Sequence, residues 1–144
     1  MVVKAEKRDV EALAELAMLM WEDNSVEELI SEFSETVLDG RTQFFLKYED
    51  NTPVGFAQCC LRYDYVEGTS TTPVGYLEGV FVKEEYRRKG YAKELLAECE
   101  VWARKKGCME FASDCEIDNG DSFHFHRAMG FKEANRIICF TKDL

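Results

Sequence analysis

The sequence predicts an α/β fold with a mixed, mostly antiparallel sheet that contains one parallel pair of strands. Apolar residues recur at helical spacing between residues 10 and 37, and the period changes to the alternation of strands from residue 43 onwards. Residues 74 to 113 then read as strand, helix and strand, a unit that makes its two strands parallel with a right-handed connection. A length of 144 residues suits one domain, residues 1–144.

The first half of the chain predicts a short strand, two helices and a hairpin. The strand is "VVKA", and the first helix is "DVEALAELAMLMW", with Asp9 as its N-cap. Ser25 and Glu28 have the spacing of a capping box for the second helix, and Gly40 is placed to end it. The segments "QFFLKYE" and "VGFAQCCLRY" form the hairpin around a turn at Asp50 to Pro53.

The second half continues with a threonine-rich loop, "DYVEGTSTTP", and the strand "VGYLEGVFV". A helix from about Tyr91 ends before Gly107, and the strand "MEFAS" follows it. A short helix lies within "SFHFHRAM", and a final pair of strands is predicted near "FKEA" and "RIICFTK". Ligands of such sheets bind outside the carboxyl ends of parallel strands, so we expect a site there.

Composition excludes several classes of function. With 18 basic and 28 acidic side chains the net charge is −10, which disfavours binding to nucleic acid and to anionic membranes. No apolar run approaches the ~20 residues that cross a bilayer, and "MVVKAEKRDVE" lacks a secretory pattern, so we expect a cytoplasmic protein. Six cysteines without a CxxC, beside two histidines, predict buried free thiols and no metal site.

The segment "YRRKGYAKE" follows a strand and opens a helix. Free main-chain N–H groups and the positive helix end therefore point at one spot, and Gly90 lets the main chain approach a ligand closely. Arg87, Arg88, Lys89 and Lys93 add positive charge. A solvated basic turn is the alternative, but the strand and helix on either side favour an anion-binding loop.

Residues 87–92 also fit the motif Q/R-x-x-G-x-G/A, and the chain resembles the Gcn5-related N-acetyltransferases (GNAT). That family has a mostly antiparallel sheet with a central, splayed parallel pair and about four helices. The resemblance implies that the turn holds the pyrophosphate of acetyl-CoA, and that the bulged strand before it binds the pantetheine arm. The implied cofactor contacts are Val80, Phe81, Val82, Arg87, Arg88, Lys89, Gly90, Tyr91, Ala92 and Lys93.

The segment "NGDSFHFHRAMGF" carries a second family feature. Asn119 stands where the family has an asparagine, a further implied cofactor contact, and His126 stands where the family has a tyrosine. That tyrosine often protonates the departing thiolate. A histidine has a suitable unperturbed pKa near ~6.5 for this role, or it packs against the sheet.

Three segments narrow the resemblance to bacterial aminoglycoside 6′-N-acetyltransferases of the compact, single-domain branch: "RYDYVEGTSTTPVGYLEGVFV", "KGCMEFASD" and "HRAMGFKEANRI". The resemblance covers about Leu19 to Phe140. It implies a homodimer and a substrate cleft lined by Trp21, Tyr65, Glu78 and Asp114. Two positions depart from the pattern: Glu22 replaces a proline, and Asn135 replaces an acidic residue before Arg136.

Glu78 is the unusual residue of its strand. Alternation places it on one face with Tyr76, Val80 and Val82, where an unpaired charge is costly. It either faces an ammonium group of a substrate or forms a structural ion pair. Asp114 follows "MEFAS" and either overlooks the same crevice or caps a helix.

Pattern alone makes Trp21 a core residue and Tyr65 a surface tyrosine, so only the resemblance moves both to the cleft. The implied reaction is direct transfer: Glu78 takes a proton from the amine, and a main-chain N–H near Val80 stabilises the oxyanion. The alternatives are an acetyltransferase of polyamines or protein lysines, and a non-catalytic acetyl-CoA-binding module. The presence of Glu78 and Asp114 favours an enzyme.

Overall fold

The computed structural model describes residues 1–144 and has five strands and four α-helices. Short 3₁₀ turns at Lys7–Asp9 and Glu84–Tyr86 precede α1 and the basic turn before α3. In chain order the elements are β1 (Val2–Lys4), α1 (Val10–Met20), α2 (Val26–Thr36), β2 (Thr42–Glu49), β3 (Thr52–Arg62), β4 (Val74–Val82), α3 (Tyr91–Lys105), β5 (Phe111–Ser113) and α4 (Gly120–Ala128). The predicted α/β class and the number of helices are confirmed.

The strands form one sheet in the order β1-β2-β3-β4-β5, antiparallel except for the parallel pair of β4 and β5. That parallel pairing runs only from Gly75 opposite Phe111 to Leu77 opposite Ser113. Beyond Leu77, β4 continues with β3 as its only neighbour. The two strands β4 and β5 separate at this point, which we call the fork. It leaves residues 79–82 with one free main-chain edge.

Helices cover both faces of the sheet. On one face α1 and α2 bury Leu13 and Phe33 against Phe44 and Phe56 of the hairpin. On the other face α3 packs against the sheet through a second cluster that includes Leu77, Val82, Leu95, Cys99 and Trp102. Because side chains alternate along β3, the strand contributes residues to both clusters: Phe56 belongs to the first and its neighbour Ala57 to the second.

The capping box predicted for α2 is confirmed, but α2 ends at Thr36 with Val37 as its C-cap, before the predicted Gly40. Ser25 Oγ accepts from the N–H of Glu28 at 3.1 Å and Glu28 Oε2 accepts from the N–H of Ser25 at 3.0 Å, which makes a complete capping box. Asp9, predicted to cap α1, instead accepts from the N–H of Glu6 at 2.8 Å. Asp9 is the third residue of the 3₁₀ turn, and its carboxylate caps the N-terminus of that turn instead of α1.

The final pair of strands is not formed. No strand follows Gly130, and Ile137, Ile138 and Phe140 are exposed for 68%, 81% and 88% of their surface. Alternation makes a strand only where a neighbouring strand supplies hydrogen-bond partners, and these residues pair with none. That part of the prediction is wrong for the single chain.

The six cysteines are all free, as predicted, but only three of them, Cys59, Cys99 and Cys108, are buried; Cys60 is half-buried, and Cys115 and Cys139 are exposed. Cys115 and Cys139 lie in segments without regular structure, where no core covers them. No helix has both the length and the apolar surface to span a membrane.

Candidate active site

A β-bulge places Glu78. Gln58 of β3 lies opposite Gly79, and the next residue, Cys59, lies opposite Leu77, so Glu78 has no partner on β3. An unpaired residue of this kind bends its strand and redirects its own side chain. The bulge lies one residue beyond the last pair of the fork.

The bulge reverses the side-chain alternation of β4. Leu77, Val80 and Val82 all contact the cluster under α3. Glu78 and Gly79 both turn to the opposite face, where a Cβ at Gly79 would lie 2.9 Å from Trp21 Cζ2. The predicted shared face of Glu78 with Val80 and Val82 is therefore wrong, because one extra residue shifts the period. Only a glycine at position 79 leaves room for the indole.

All hydrogen bonds that the Glu78 carboxylate accepts within the protein go to one of its two oxygens. Oε1 accepts from Arg62 Nη2 at 2.8 Å and from Cys60 Sγ at 3.0 Å, and Oε2 accepts from no protein group. The Glu78 and Arg62 side chains stay 31% and 40% exposed. Burial, followed by the hydrogen bond to Glu78, raises the pKa of Cys60 to about 12. Cys60 is therefore a neutral thiol and can donate.

Arg62 connects Glu78 to Asp114 through the ring of Tyr76. Its guanidinium carbon lies 3.4 Å from the centre of the Tyr76 ring, and the Tyr76 hydroxyl donates to Asp114 Oδ2. Burial, and then the hydrogen bond to Asp114, raises the pKa of Tyr76, so the phenol remains protonated. We call Cys60, Arg62, Tyr76, Glu78 and Asp114 the acceptor network.

A cavity of about 240 Å³ opens beside this network. Trp21 and Glu78 both line it, and the indole also meets Phe56 edge-on at 5.8 Å between ring centres. Trp21 therefore serves the core and the cavity at once. The remaining lining residues are Asn24, Leu29, Glu32, Phe33 and Gln58. Glu32 gives the cavity a second carboxylate that the sequence did not single out.

The four predicted substrate residues are only partly brought together. Trp21 and Glu78 share the cavity, and Asp114 is linked to Glu78 through Tyr76 and Arg62. Tyr65 is 76% exposed in the loop between β3 and β4 and does not line the cavity. Arg62 and Cys60 were missed, although their spacing of two residues on β3 puts them on one face.

The basic turn presents main-chain donors. Gly90 is left-handed with φ 81°, Arg88 also has a positive φ of 64°, and α3 begins at Tyr91. The N–H groups of residues 88–93 donate to no other group of the protein. Arg87 Nε donates to the carbonyl of Val82 at 2.9 Å, which ties the turn to the end of β4. Such a set of free donors at a helix N-terminus suits a phosphate group.

Two side chains of the turn are already paired. Glu49, at the end of β2, accepts from Tyr91 Oη at 2.6 Å and from Lys89 Nζ at 3.1 Å. These hydrogen bonds, first from Tyr91 and then from Lys89, lower the pKa of Glu49. Arg88 and Lys93 form no ion pair and are the free cations of the turn. Glu49 was not predicted, because it reaches the turn only through the folded sheet.

His126 lies at the fork. Its Nδ1 is 2.7 Å from the carbonyl of Ser122, and its Nε2 is 2.7 Å from Ser113 Oγ. A carbonyl only accepts, so Nδ1 carries the proton and Nε2 faces the hydroxyl. Ser113 Oγ also lies 3.2 Å from the carbonyl of Leu77, its partner in the last pair before the strands part. The ring packs against Phe131 as well, at 5.1 Å between centres.

Asn119 is the N-cap of α4, and its Oδ1 accepts from the N–H of Ser122 at 3.1 Å. The side-chain oxygen of Asn119 is therefore engaged in capping the helix. A contact of Asn119 with the cofactor stays a prediction. No three His, Cys, Asp or Glu side chains lie close enough together to hold a metal ion.

Relatives with known names match nearly the whole chain. An aminoglycoside N(6′)-acetyltransferase type 1 of Serratia marcescens is 37% identical over 145 residues, which cover 100% of this chain and 99% of that protein. The protein of the same name from Acinetobacter baumannii is 38% identical over 130 residues, which cover 90% and 88%.

Solved structures give the same relationship. AAC(6′)-Iy in complex with the bisubstrate analog CoA-S-monomethyl-acetylneamine superposes with a TM-score of 0.96 at 32% identity, covering 100% of this chain and 98% of that one. AAC(6′)-Ih from Acinetobacter baumannii gives 0.95 at 34% identity, with the same coverage. The model of the acetyltransferase (GNAT) family matches residues 10–131. The chain belongs to the acetyltransferase (GNAT) family, as the sequence resemblance predicted.

Proposed function

We propose that the protein is an aminoglycoside 6′-N-acetyltransferase that acts as one domain over residues 1–144. It transfers acetyl from acetyl-CoA directly to the 6′-amine and so confers resistance to the antibiotic. The observation that carries the proposal is the bulge, which turns Glu78 into a cavity beside a free strand edge and a turn of free N–H donors. Relatives at 37% and 38% identity carry the name of this activity.

Acetyl-CoA, the acetyl donor, binds on the side of the fork that carries the basic turn, which we call the donor side. The N–H groups of residues 88–93 receive the pyrophosphate, with Arg88 and Lys93 as free cations. Lys89, Gly90, Tyr91 and Ala92 shape the turn, and Arg87 ties it to β4. The free main-chain edge of Val80, Phe81 and Val82 pairs with the amides of the pantetheine arm, and Asn119 is a further contact.

The amine, the acetyl acceptor, binds on the side of the fork that carries Glu78, which we call the acceptor side. Glu78 Oε2, which has no donor within the protein, accepts the proton of the 6′-ammonium, and the neutral amine then attacks the thioester. Asp114 holds a second ammonium group, and the rings of Trp21 and Tyr65 contact the sugar. The main-chain N–H near Val80 stabilises the oxyanion as it forms.

His126 protonates the departing thiolate. With both ring nitrogens protonated, Nε2 passes its proton to Ser113 Oγ, 2.7 Å away, while that hydroxyl gives its own proton to the thiolate. The neutral ring then keeps its proton on Nδ1, bonded to the carbonyl of Ser122. Ser113 belongs to the last pair before the fork, and its Oγ lies 3.2 Å from the carbonyl of Leu77. This arrangement lets a histidine serve at the position where the family has a tyrosine.

The protein acts as a homodimer in the cytoplasm. The support for the dimer is the exposed apolar segment with Ile137, Ile138 and Phe140, which lies without a partner in the single chain. Sedimentation equilibrium tests this point: a mass near twice 16.6 kDa is expected, and a monomer at micromolar concentration contradicts it.

A thiol-release assay with acetyl-CoA and a panel of amines tests the function. Kanamycin-type drugs with a 6′-amine should be acetylated, whereas matched analogues with a 6′-hydroxyl should bind and react little, since the hydroxyl is a poorer nucleophile at neutral pH. NMR of the product identifies the acetylated nitrogen. Faster turnover of spermidine or of a lysine peptide would mean that the substrate is that amine and not an aminoglycoside. If no amine is acetylated, the protein is a cofactor-binding module without catalytic activity.

A further inference from the structure

We propose that Arg62 is a positioning residue of the reaction: it holds Oε1 of Glu78 so that Oε2 alone meets the amine. The inference rests on the proposed function of Glu78 as the base. It concerns a residue that reaches the substrate only through another side chain, and it predicts a separate kinetic signature.

The contacts divide the two oxygens of Glu78. Both protein donors, Arg62 Nη2 at 2.8 Å and Cys60 Sγ at 3.0 Å, converge on Oε1. A free carboxylate rotates and presents either oxygen, whereas two donors on one oxygen fix its plane. Oε2 is then the only oxygen that can accept a new proton donor in a fixed direction.

Arg62 is itself held in place. Its guanidinium lies 3.4 Å from the centre of the Tyr76 ring, and Tyr76 is anchored by its hydroxyl to Asp114. A planar guanidinium stacks on an aromatic face and still donates at its edge, which an ammonium group does not do equally well. The position therefore requires arginine rather than any cation.

The charge of Arg62 has a second effect. It adds one positive charge beside Glu78 and Asp114 in the cleft that receives a polycationic substrate. An ammonium group at Glu78 must share that carboxylate with the guanidinium. Arg62 thus lowers the affinity for the substrate while it raises the rate of the bound complex. This combination separates a positioning role from a purely structural one.

The test compares kcat and KM of wild type, Arg62→Met and Arg62→Lys with kanamycin as acceptor. Arg62→Met should lower kcat by about 10- to 100-fold, because the base is no longer oriented, and should lower KM by roughly two- to fivefold, because a competing exposed cation is removed. Arg62→Lys should recover part of the kcat. Arg104→Met, which removes another arginine paired with a glutamate at 3.6 Å on α3, is the control and should change neither constant.

A double-mutant cycle with Glu78→Gln identifies the residue through which Arg62 acts. In the Glu78→Gln background, Arg62→Met should change kcat less than about twofold, since the group it positions is gone. Additive losses would overturn the proposal, and so would a raised KM at unchanged kcat in the single variant.

Crystal structures of wild type and Arg62→Met give a readout that does not depend on turnover. Glu78 should bond through Oε1 in wild type and lose its single orientation in the variant. An unchanged Glu78 overturns the positioning role even if the aminoglycoside is the substrate. Should another amine be the substrate, the proposed function fails on its own, and the same variants are measured with that amine.

Discussion

The donor and acceptor sides of the fork are built from different kinds of chemical group. On the side proposed for acetyl-CoA, the available groups are the main-chain N–H donors of residues 88–93 and one free edge of β4. On the acceptor side they are charged side chains, and the acceptor network binds most of them to one another. Main-chain donors survive most substitutions, whereas a side-chain network depends on each member. Single substitutions should therefore weaken the acceptor side far more often.

The largest effect is expected at Glu78. Glu78→Gln keeps the shape and removes the base, so kcat/KM should fall by about 10²- to 10⁴-fold, while the affinity for CoA measured by calorimetry stays within twofold. Glu32→Gln changes the other carboxylate of the same cavity and is the matched control, with a much smaller loss. Equal losses in both variants would mean that only the total negative charge of the cavity matters.

Gly90 is the position where the donor side is sensitive to a single change. Gly90→Asp forces a non-glycine residue to φ 81° and adds a negative charge, so the dissociation constant of CoA should rise by about 30-fold. Gly107→Asp introduces the same residue at φ 89°, with no atom within 4 Å, at the far end of α3. The control should lose stability to a similar degree and bind CoA normally.

The leaving-group pathway should show a smaller effect. Ser113→Ala and His126→Phe should each lower kcat about tenfold, below the usual range for a general acid because a thiolate leaves readily. The double variant should be no slower than either single variant if the proton passes through both groups. Multiplied losses in steady-state rates would show that Ser113 and His126 act independently.

The smallest predicted effect comes from Glu49 and has the opposite sign. Glu49→Gln removes the negative charge that pairs with Lys89 and bonds to Tyr91, so CoA should bind roughly two- to threefold more tightly at low salt. The gain should shrink as the salt concentration rises, because Lys89 and Glu49 are partly exposed. Weaker binding would mean that Glu49 holds the turn in shape rather than competing with the phosphates.

Local sequence signals predicted the parts of the fold that depend on neighbours along the chain. The capping box at Ser25, the turn at Gly90 and the strand, helix and strand around α3 are examples. The partners of Glu78 could not be predicted, because Arg62 and Cys60 reach it only through the register of β3 with β4. Gly79 was a usable signal, since a glycine inside a strand often marks a bulge or a close approach.

The end of the chain was mispredicted for a related reason. The segment "RIICFTK" alternates as a strand should, yet pairing depends on a free edge elsewhere, which alternation does not report. Glu78 shows the same limit on a smaller scale. A period of two predicts faces only while every residue has a partner, and the single unpaired residue exchanged the faces of Val80 and Val82.

The bulge also constrains how this enzyme can change over generations. Point substitutions around Glu78 alter one contact at a time, so preference among antibiotics can drift in small steps. Deleting one residue between Leu77 and Val80 would instead restore regular pairing and move every later side chain of β4 to the opposite face. Val80 and Val82 would leave the core, and the strand would lose its fit to α3. We therefore expect natural variation here to preserve the length of β4 even where its residues differ.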